Sequence, residues 1–531
     1  MNQAGFRKSG PGYGCPMSPE VLVVGAGPTG LLLASELARR DVDCLLLDLL
    51  DAPQGWDRAT VVHGRSLEIF EALGRADPFL EQGVRTRAVR VRSDGAVVGA
   101  LDFELAGGRY PFQIGVSEEV TESVLAAHLA ALGGAVVRST RLVDLRQDAD
   151  AVVATLEHDG DRREVSAAWV VGCDGSHSKV RELAGIAFEG TDLADPWAVF
   201  DATVDGWEDG YDLVAAFLDV PPMILTPLPG LRWRVYLRPT PDTSDLVDEA
   251  TQVVRTYMPR ATLVDVTDPA RFHCQSRVAA RFRAGRVLLA GDAAHACSPA
   301  EGHGMNTGLQ DAFNLGWKLA LVCSGVSGRE LLDSYDVERR PVAERVVASG
   351  DDAEAGQALT AAQERAARDA ATRKIFADPD SAHHEAAAHA ELDRCYADSD
   401  AVLGDANDAF GPGDLLPDDL RVDGGDLHEL THRPGHTLLV VGGGATPPAE
   451  VLGLVAALER AHRDSRVVDA VVGLAPEPGD TGLRRIDRSA LQRIGVKGVT
   501  LLAVRPDRYV GLRHDGGDPA AVQQYLAALA A

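Results

Sequence analysis

The stretch PEVLVVGAGPTGLLLASELARRDVDCLLLD, residues 19–48, leaves this part of the chain few ways to fold. Val21 to Val24 is an unbroken run of valine and leucine, the pattern of a parallel strand buried on both faces. Gly25-Ala26-Gly27-Pro28-Thr29-Gly30 follows without a spacer, Leu31 to Arg39 carries helical periodicity, and Cys44 to Leu47 is a second buried run. Asp48 closes that second strand. A G-x-G-x-x-G turn between strand and helix, with an acid about 20 residues on, is the dinucleotide fingerprint. Its glycines allow a tight turn and close approach to a pyrophosphate, which the helix N-terminus attracts, and the acid accepts hydrogen bonds from a ribose.

The fingerprint alone does not choose between FAD and a nicotinamide. Two later stretches bear on the choice. VVGCDGSHSKVRELAGI places Asp174-Gly175 after a strand, with Ser178 and Arg181 on the helix that follows. AGDAAHACSPAEGHGMNTGLQDAFNLGWKLA, residues 290–320, places Gly291-Asp292 after the buried run RVLLAGD. A loop with Pro299, Gly302 and Gly304 comes next, and a helix opens at about Met305-Asn306, as expected where something flat must lie close to backbone.

With these three motifs in this order, the chain resembles the group A flavoprotein monooxygenases, the para-hydroxybenzoate hydroxylase-like family, over residues 19–350. Its end, closing on LLAVRPDRYVGLR, resembles the thioredoxin-like tail of larger members, among them actinomycete hydroxylases of aromatic polyketides. The resemblance implies an α/β fold: a Rossmann-like FAD-binding domain, an inserted, mostly antiparallel β substrate domain, and a C-terminal thioredoxin-like α/β domain. The expected parts are a disordered lead (1–18), the FAD-binding domain (19–95, 119–191 and 281–350) and the substrate-binding β domain (96–118 and 192–280). A helical connector (351–403) and the tail domain (404–531), which lacks CxxC, complete the chain.

The resemblance also implies roles for residues. Gly25, Ala26, Gly27, Pro28, Thr29, Gly30 and Asp48 would hold the ADP half of FAD, with Leu142 meeting adenine through its backbone. Arg58 would lie near the pyrophosphate and nicotinamide path, and Asp174 and Arg181 would shape the surroundings of FAD and nicotinamide. Asp292 would bind the ribityl chain; Gly302, Gly304, Met305 and Asn306 would line the ring, with Pro299 on its oxygen-reacting side. Arg58, Pro299 and His303 are the candidate catalytic residues. Three positions depart from the family pattern: Glu118 and His303 stand where glutamine is usual, and Glu301 where glycine is. His303 either repeats the glutamine's hydrogen bonds or titrates beside the ring.

The implied activity is an NADPH- or NADH-dependent FAD monooxygenase, adding oxygen through a flavin C4a-hydroperoxide to hydroxylate a polycyclic, polyketide-like aromatic. Baeyer–Villiger, epoxidising or rearranging chemistry on the same substrates is the alternative, and a flavin-binding interaction protein is the alternative from another class. Aromatic and methionine side chains suit the wall of a planar-ligand pocket, which makes Phe217, Met223, Trp233 and Tyr236 candidate substrate residues. No metal site is expected: the adjacent His383 and His384 point apart on a helix.

Composition narrows the partners. At 531 residues the chain is too long for one core. A net charge of −27 argues against a nucleic-acid groove. No apolar run reaches the roughly 18 residues of a membrane span, and the first residues lack a signal-type apolar segment. The seven cysteines are scattered, which fits free thiols in a reducing cytoplasm. The expected partners are a small aromatic substrate and O2, the expected state a monomer or homodimer.

Overall fold

The computed structural model describes residues 18–53, 59–193, 195–241, 243, 245–407, 409–417, 420–423 and 425–531. Arg58 and residues 1–17 of the lead lie outside the described residues. The described residues divide into two compact units: 18–35, Asp43–Ala312 and Val342–Leu392 form one, and Glu36–Val42, Phe313–Pro341 and Asp393–Ala531 the other.

Two large sheets, accompanied by smaller three-stranded ones, dominate the first unit. One runs in the order Arg283–Ala284, Val287–Leu289, Trp169–Gly172, Val21–Val24, Cys44–Leu47, Val136–Val137, parallel except at the Arg283–Ala284 edge. Val21, Leu22 and Val23 are wholly buried, as their unbroken apolar run requires. Register matters here. Val24 pairs with both Gly172 and Leu47, and Gly172 pairs with Leu289. Gly25, Asp48, Asp174 and Gly291 therefore all leave the sheet at one edge, the carboxyl ends of its strands, where open α/β sheets bind ligands.

The second sheet has seven strands: Thr262–Phe272, Trp197–Asp205, Arg232–Leu237, Met223–Leu228, Leu213–Phe217, Ala88–Ser93 and Ala96–Asp102. Leu213–Phe217 and Ala88–Ser93 pair in parallel, and the other neighbours are antiparallel. The inserted β region thus begins earlier than residue 96. Asp94 and Gly95, both at positive φ, fold 88–102 into a hairpin that carries Ala88–Ser93 into the sheet. Period-2 alternation divides its side chains. One face, with Phe217, Met223, Trp233 and Val235, packs on the helix Leu246–Arg255. The opposite face carries a second cluster including Val214, Ile224, Tyr236 and Phe272.

The second unit has its own mixed sheet, ordered Leu403–Gly404, Val510–Asp515, Val499–Val504, His436–Gly442, Val468–Ala475, Arg484–Arg485. Its helices include Pro448–Ala461 and Ala520–Ala530. Buried in this unit, the Glu338 carboxylate is held by Lys318 Nζ and Arg505 Nη2, both at 2.7 Å. No helix among the described residues is long and apolar enough to cross a membrane.

Candidate active site

The glycine turn divides its labour. A Cβ at Gly25, which sits at φ +102°, would collide with the Cys173 carbonyl, and one at Gly30 with the Gly25 carbonyl oxygen. These two glycines exist for packing. Gly27 is different: the nearest atom to an added Cβ is Glu122 Oε1 at 3.9 Å, and the residue lines an open cavity. Asp48 braces the turn, accepting the Ala26 N–H at 2.6 Å through Oδ2 and the Leu50 N–H at 2.8 Å through Oδ1. Glu118, at the start of the helix Glu118–Ala131, accepts the Ala59 N–H at 3.2 Å.

The Asp174 carboxylate caps the helix Lys179–Leu183, accepting from the Lys179 and Val180 N–H groups at 2.7 and 3.1 Å and from the Ser178 hydroxyl. Burial still pushes its carboxyl above the usual range, although these bonds oppose the shift. Arg181 donates to the Ala293 carbonyl at 2.9 Å and the Ser176 carbonyl at 2.8 Å, and its guanidinium lies over the Phe188 ring. It is a clamp on the Gly291–Ala293 turn.

That turn exposes Asp292 to the cavity. Gly291 and Gly308 leave room for the Thr29 side chain, whose Oγ1 would meet a Cβ at either position. Farther on, Pro299–Glu301 forms one short turn that ends at Gly302, φ +71°. A side chain on Gly302 would both strain the backbone and strike Val61. Gly304 and Met305 line the cavity at the start of the helix His303–Cys323. Asn306 does not line it. Its amide accepts the His63 N–H at 2.9 Å and donates to the carbonyls of Val61 and Gly302 at 3.0 and 2.9 Å, stitching the loop to the strand Val61–Val62. His303 likewise faces away from the cavity wall, with Nδ1 3.4 Å from Glu391 and Nε2 4.0 Å from Glu301. Glu301 is itself held by the Ser349 hydroxyl at 2.7 Å. Burial, then the charges of Asp292 and Glu301, push the Cys297 thiol far up, which favours the neutral thiol over the thiolate.

The cavity is continuous, about 1570 Å³. It runs from Leu142, Asp48 and Glu118 past Asp292 to Pro299 and Met305, then under the second sheet. That exceeds the roughly 300–1,000 Å³ of a single small-ligand pocket and leaves room for a dinucleotide and a planar substrate together. The wall under the sheet is made by Val214, Ala216, Ile224, Thr226 and Tyr236. Phe217, Met223 and Trp233, expected here from the sequence, sit one residue out of phase and belong to the core on the opposite face. Tyr236 alone of the four faces the cavity, its Oη 2.9 Å from Thr60 Oγ1.

Sequence reasoning missed two polar groups on this wall, Gln113 and His389. His389 Nε2 lies 3.4 Å from Gln113 Oε1, and the His389 ring stacks on Phe103. Burial, then the neighbouring His63 and His303, hold the His389 imidazole well below its ordinary pKa and so neutral. Residue 389 lies far in sequence from the motifs, and no pattern pointed to it.

The donor set fits FAD: an open glycine turn, an acid at the end of the second strand, a cavity-facing carboxylate at Asp292 and a small-residue loop opening a helix. Comparisons with known proteins agree. The FAD binding domain family matches residues 18–349. Pentachlorophenol 4-monooxygenase of Sphingobium chlorophenolicum is 37% identical over 343 residues, 62% of this chain and 63% of the relative, so the match spans under two thirds of that protein. 6-Methylpretetramide 4-monooxygenase of Streptomyces rimosus is 33% identical over 519 residues, 93% of this chain and 90% of the relative. The solved structure of aklavinone-11 hydroxylase in ternary complex with FAD and aklavinone superposes with a TM-score of 0.74 at 25% identity, covering 96% of this chain and 98% of that one.

Proposed function

Because the chain belongs to the FAD-binding family of group A aromatic monooxygenases, we propose that it hydroxylates a polycyclic, polyketide-type aromatic, with NADPH or NADH as the reductant. The single observation that carries this reading is the continuity of the cavity from the Gly27 turn to the chamber under Tyr236. Gly27, Asp48, Glu118, Leu142 and Asp292 would hold the cofactor's extended part, and Pro299, Gly302, Gly304 and Met305 would back its ring. When bound, FAD supplies the redox chemistry: it takes two electrons from the nicotinamide and uses O2 to deliver one oxygen atom to the substrate.

The protein's own contribution is position and dryness. The first turn of the helix His303–Cys323 puts its positive dipole end beside the small-residue loop, where negative charge is stabilised. Val214, Ala216 and Ile224 present an apolar surface that excludes water and suits a flat ring. The Tyr236–Thr60 hydroxyl pair and the Gln113–His389 pair offer donors and acceptors to a substrate hydroxyl or carbonyl. His389, its basicity lowered by burial, can orient such a hydroxyl by hydrogen bonding. In this reading the Ala88–Ser93 strand joins residues 96–118 and 192–280 as the substrate-binding part. Residues 404–531, which contain no cysteine, take no part in dithiol exchange.

The test is direct. Purified protein should carry FAD, and a panel of polycyclic phenols and quinones should include compounds that stimulate NAD(P)H oxidation and acquire one 18O atom from 18O2. Protein that cannot be reconstituted with FAD, or that shows no stimulated oxidation with any panel member, would overturn the reading.

A further inference from the structure

Three buried side chains from remote parts of the chain meet behind the Gly302 loop. His63 follows the strand Val61–Val62, His303 opens the long helix, and Glu391 lies two residues past the helix Pro379–His389. They are 1%, 5% and 0% exposed, and each offers one ligating atom such that all three lie within 4.8 Å of one another. None of the three lines the cofactor and substrate cavity.

Their geometry is that of ligands. His303 Nδ1 and Glu391 Oε1 are 3.4 Å apart. Two donors bound at about 2.0–2.1 Å to one tetrahedral ion stand roughly 3.4 Å apart, so this edge is already in place. The rings of His63 and His303 meet edge to face with centroids 5.1 Å apart, close to the roughly 5.2 Å of two imidazoles sharing a tetrahedral ion.

Two further features concern Glu391. Its backbone sits at φ +57°, in a left-handed conformation that is unusual for any residue but glycine or asparagine. It occupies the position after a helix C-cap where glycine is the ordinary solution, so a glutamate there carries a conformational cost. Its carboxylate is also oriented. Thr307 Oγ1 donates to Oε1 at 2.7 Å, and Gln310 Nε2 donates to Oε2. Hydrogen bonds of this kind commonly aim a ligating carboxylate at its metal.

We propose that His63, His303 and Glu391 bind one divalent zinc ion, which ties the start of the helix His303–Cys323 to the strand Val61–Val62 and to the turn after His389. Two imidazoles and one carboxylate suit zinc and its borderline neighbours better than calcium or magnesium, which prefer all-oxygen sites. A slight closure of His63 completes three protein ligands, and water takes the fourth place. The ion is a positioning group: it fixes the His303 end of the loop whose Gly302 and Gly304 line the cavity.

The experiment uses tag-free, FAD-loaded full-length protein, stripped of metal and titrated with Zn2+ and, separately, Co2+. The expected result is one Zn2+ per chain, a Co2+ complex with the intense visible d–d bands of a tetrahedral nitrogen–oxygen site, and a zinc-dependent rise in Tm. Glu391→Gln and His63→Gln should each weaken Zn2+ at least 100-fold, and Thr307→Val about tenfold by loosening the carboxylate. His384→Gln, at an exposed position on the helix Pro379–His389 that precedes Glu391, should leave stoichiometry and affinity unchanged. The FAD absorbance of each variant reports that it has folded. Absence of stoichiometric Zn2+ or Co2+ binding in the parent, or parental affinity in folded Glu391→Gln, would overturn the proposal. The readout is metal content and spectrum, so its failure would leave the oxygenase reading standing.

Discussion

His295 Nε2 lies 2.7 Å from Asp311 Oδ2, and the same oxygen accepts the Gly291 N–H at 3.0 Å, with both side chains shielded from solvent. One buried carboxylate thereby fixes the turn that presents Asp292 to the cavity. Asp311→Ala leaves an imidazole and an N–H buried without this acceptor, and is expected to cost about 1–3 kcal/mol for each group left unsatisfied. FAD should bind at least about tenfold more weakly, because the loss reaches the turn carrying Asp292. Asp311→Asn keeps an acceptor for Gly291 and should recover most of the stability. Thermal unfolding at saturating FAD and a fluorescence titration separate the two effects; Asp311→Ala with parental FAD affinity would remove this role.

The glycine turn makes a sharper comparison. Gly30→Ala drives a methyl group into the Gly25 carbonyl, whereas at Gly27 the nearest atom stands 3.9 Å away. Gly30→Ala should therefore destabilise the apoprotein by about 3 kcal/mol through overpacking. Gly27→Ala should leave apoprotein Tm nearly unchanged and still weaken FAD, since its methyl group points at the ligand's side of the turn. Equal Tm losses in the two apoproteins would show that the turn's glycines do not divide their roles in this way.

The glycine and aspartate motifs were legible because each position admits few residue types. Gly25 must clear the Cys173 carbonyl, and Asp48 must accept the Ala26 N–H. The substrate wall was not legible. A strand such as RWRVYL alternates faces every residue, and both faces of this sheet are buried, so hydrophobicity cannot say which one meets the ligand. The resemblance assigns Asn306 to the flavin ring, and the structure shows its side chain bonded to backbone groups of Val61, His63 and Gly302. The contacts of Asn306 with Val61 and His63, like those that place Gln113, His389 and Glu391, join residues more than 80 positions apart and leave no mark in a single sequence.

The two faces of that strand can be told apart by mutation. Trp233→Ala empties a core position and should cost about 3–5 kcal/mol, while activity per folded molecule stays near parental. Tyr236→Phe loses one hydrogen bond to Thr60, worth about 1 kcal/mol, but alters the wall that meets substrate. It should raise KM or uncouple NAD(P)H oxidation from product formation several-fold. Steady-state kinetics beside chemical denaturation gives both numbers, and parental coupling and KM in Tyr236→Phe would place the substrate elsewhere.

His436 should make the stability of the second unit fall as the solution is acidified. It is 1% exposed, its Nε2 lies 3.0 Å from Tyr525 Oη, and its ring meets Trp317 edge-on. Burial, then the positive charge of Arg505, pulls the imidazole from its ordinary value down to about 3, against the attraction of Asp507. The unfolded chain takes up this proton near pH 6.5 and the folded one only near pH 3, so the unfolded state binds more protons between those values. The contribution to stability is then fully present above about pH 6.5 and is lost as pH falls, at about 1.4 kcal/mol per unit. The network around Glu338, whose carboxyl Arg505 and Lys318 hold below its usual range despite burial, weakens only below about pH 4.5. The interval from about pH 4.5 to 6.5 therefore separates the histidine from that network. His436→Gln, which keeps a polar group near Tyr525, should flatten the pH dependence of unfolding there and remove about one proton from the uptake on unfolding. Taking the difference between parent and variant cancels His389 and His462, which burial shifts in the same direction. Parallel curves for parent and variant across this interval would show that His436 is already charged in the folded protein.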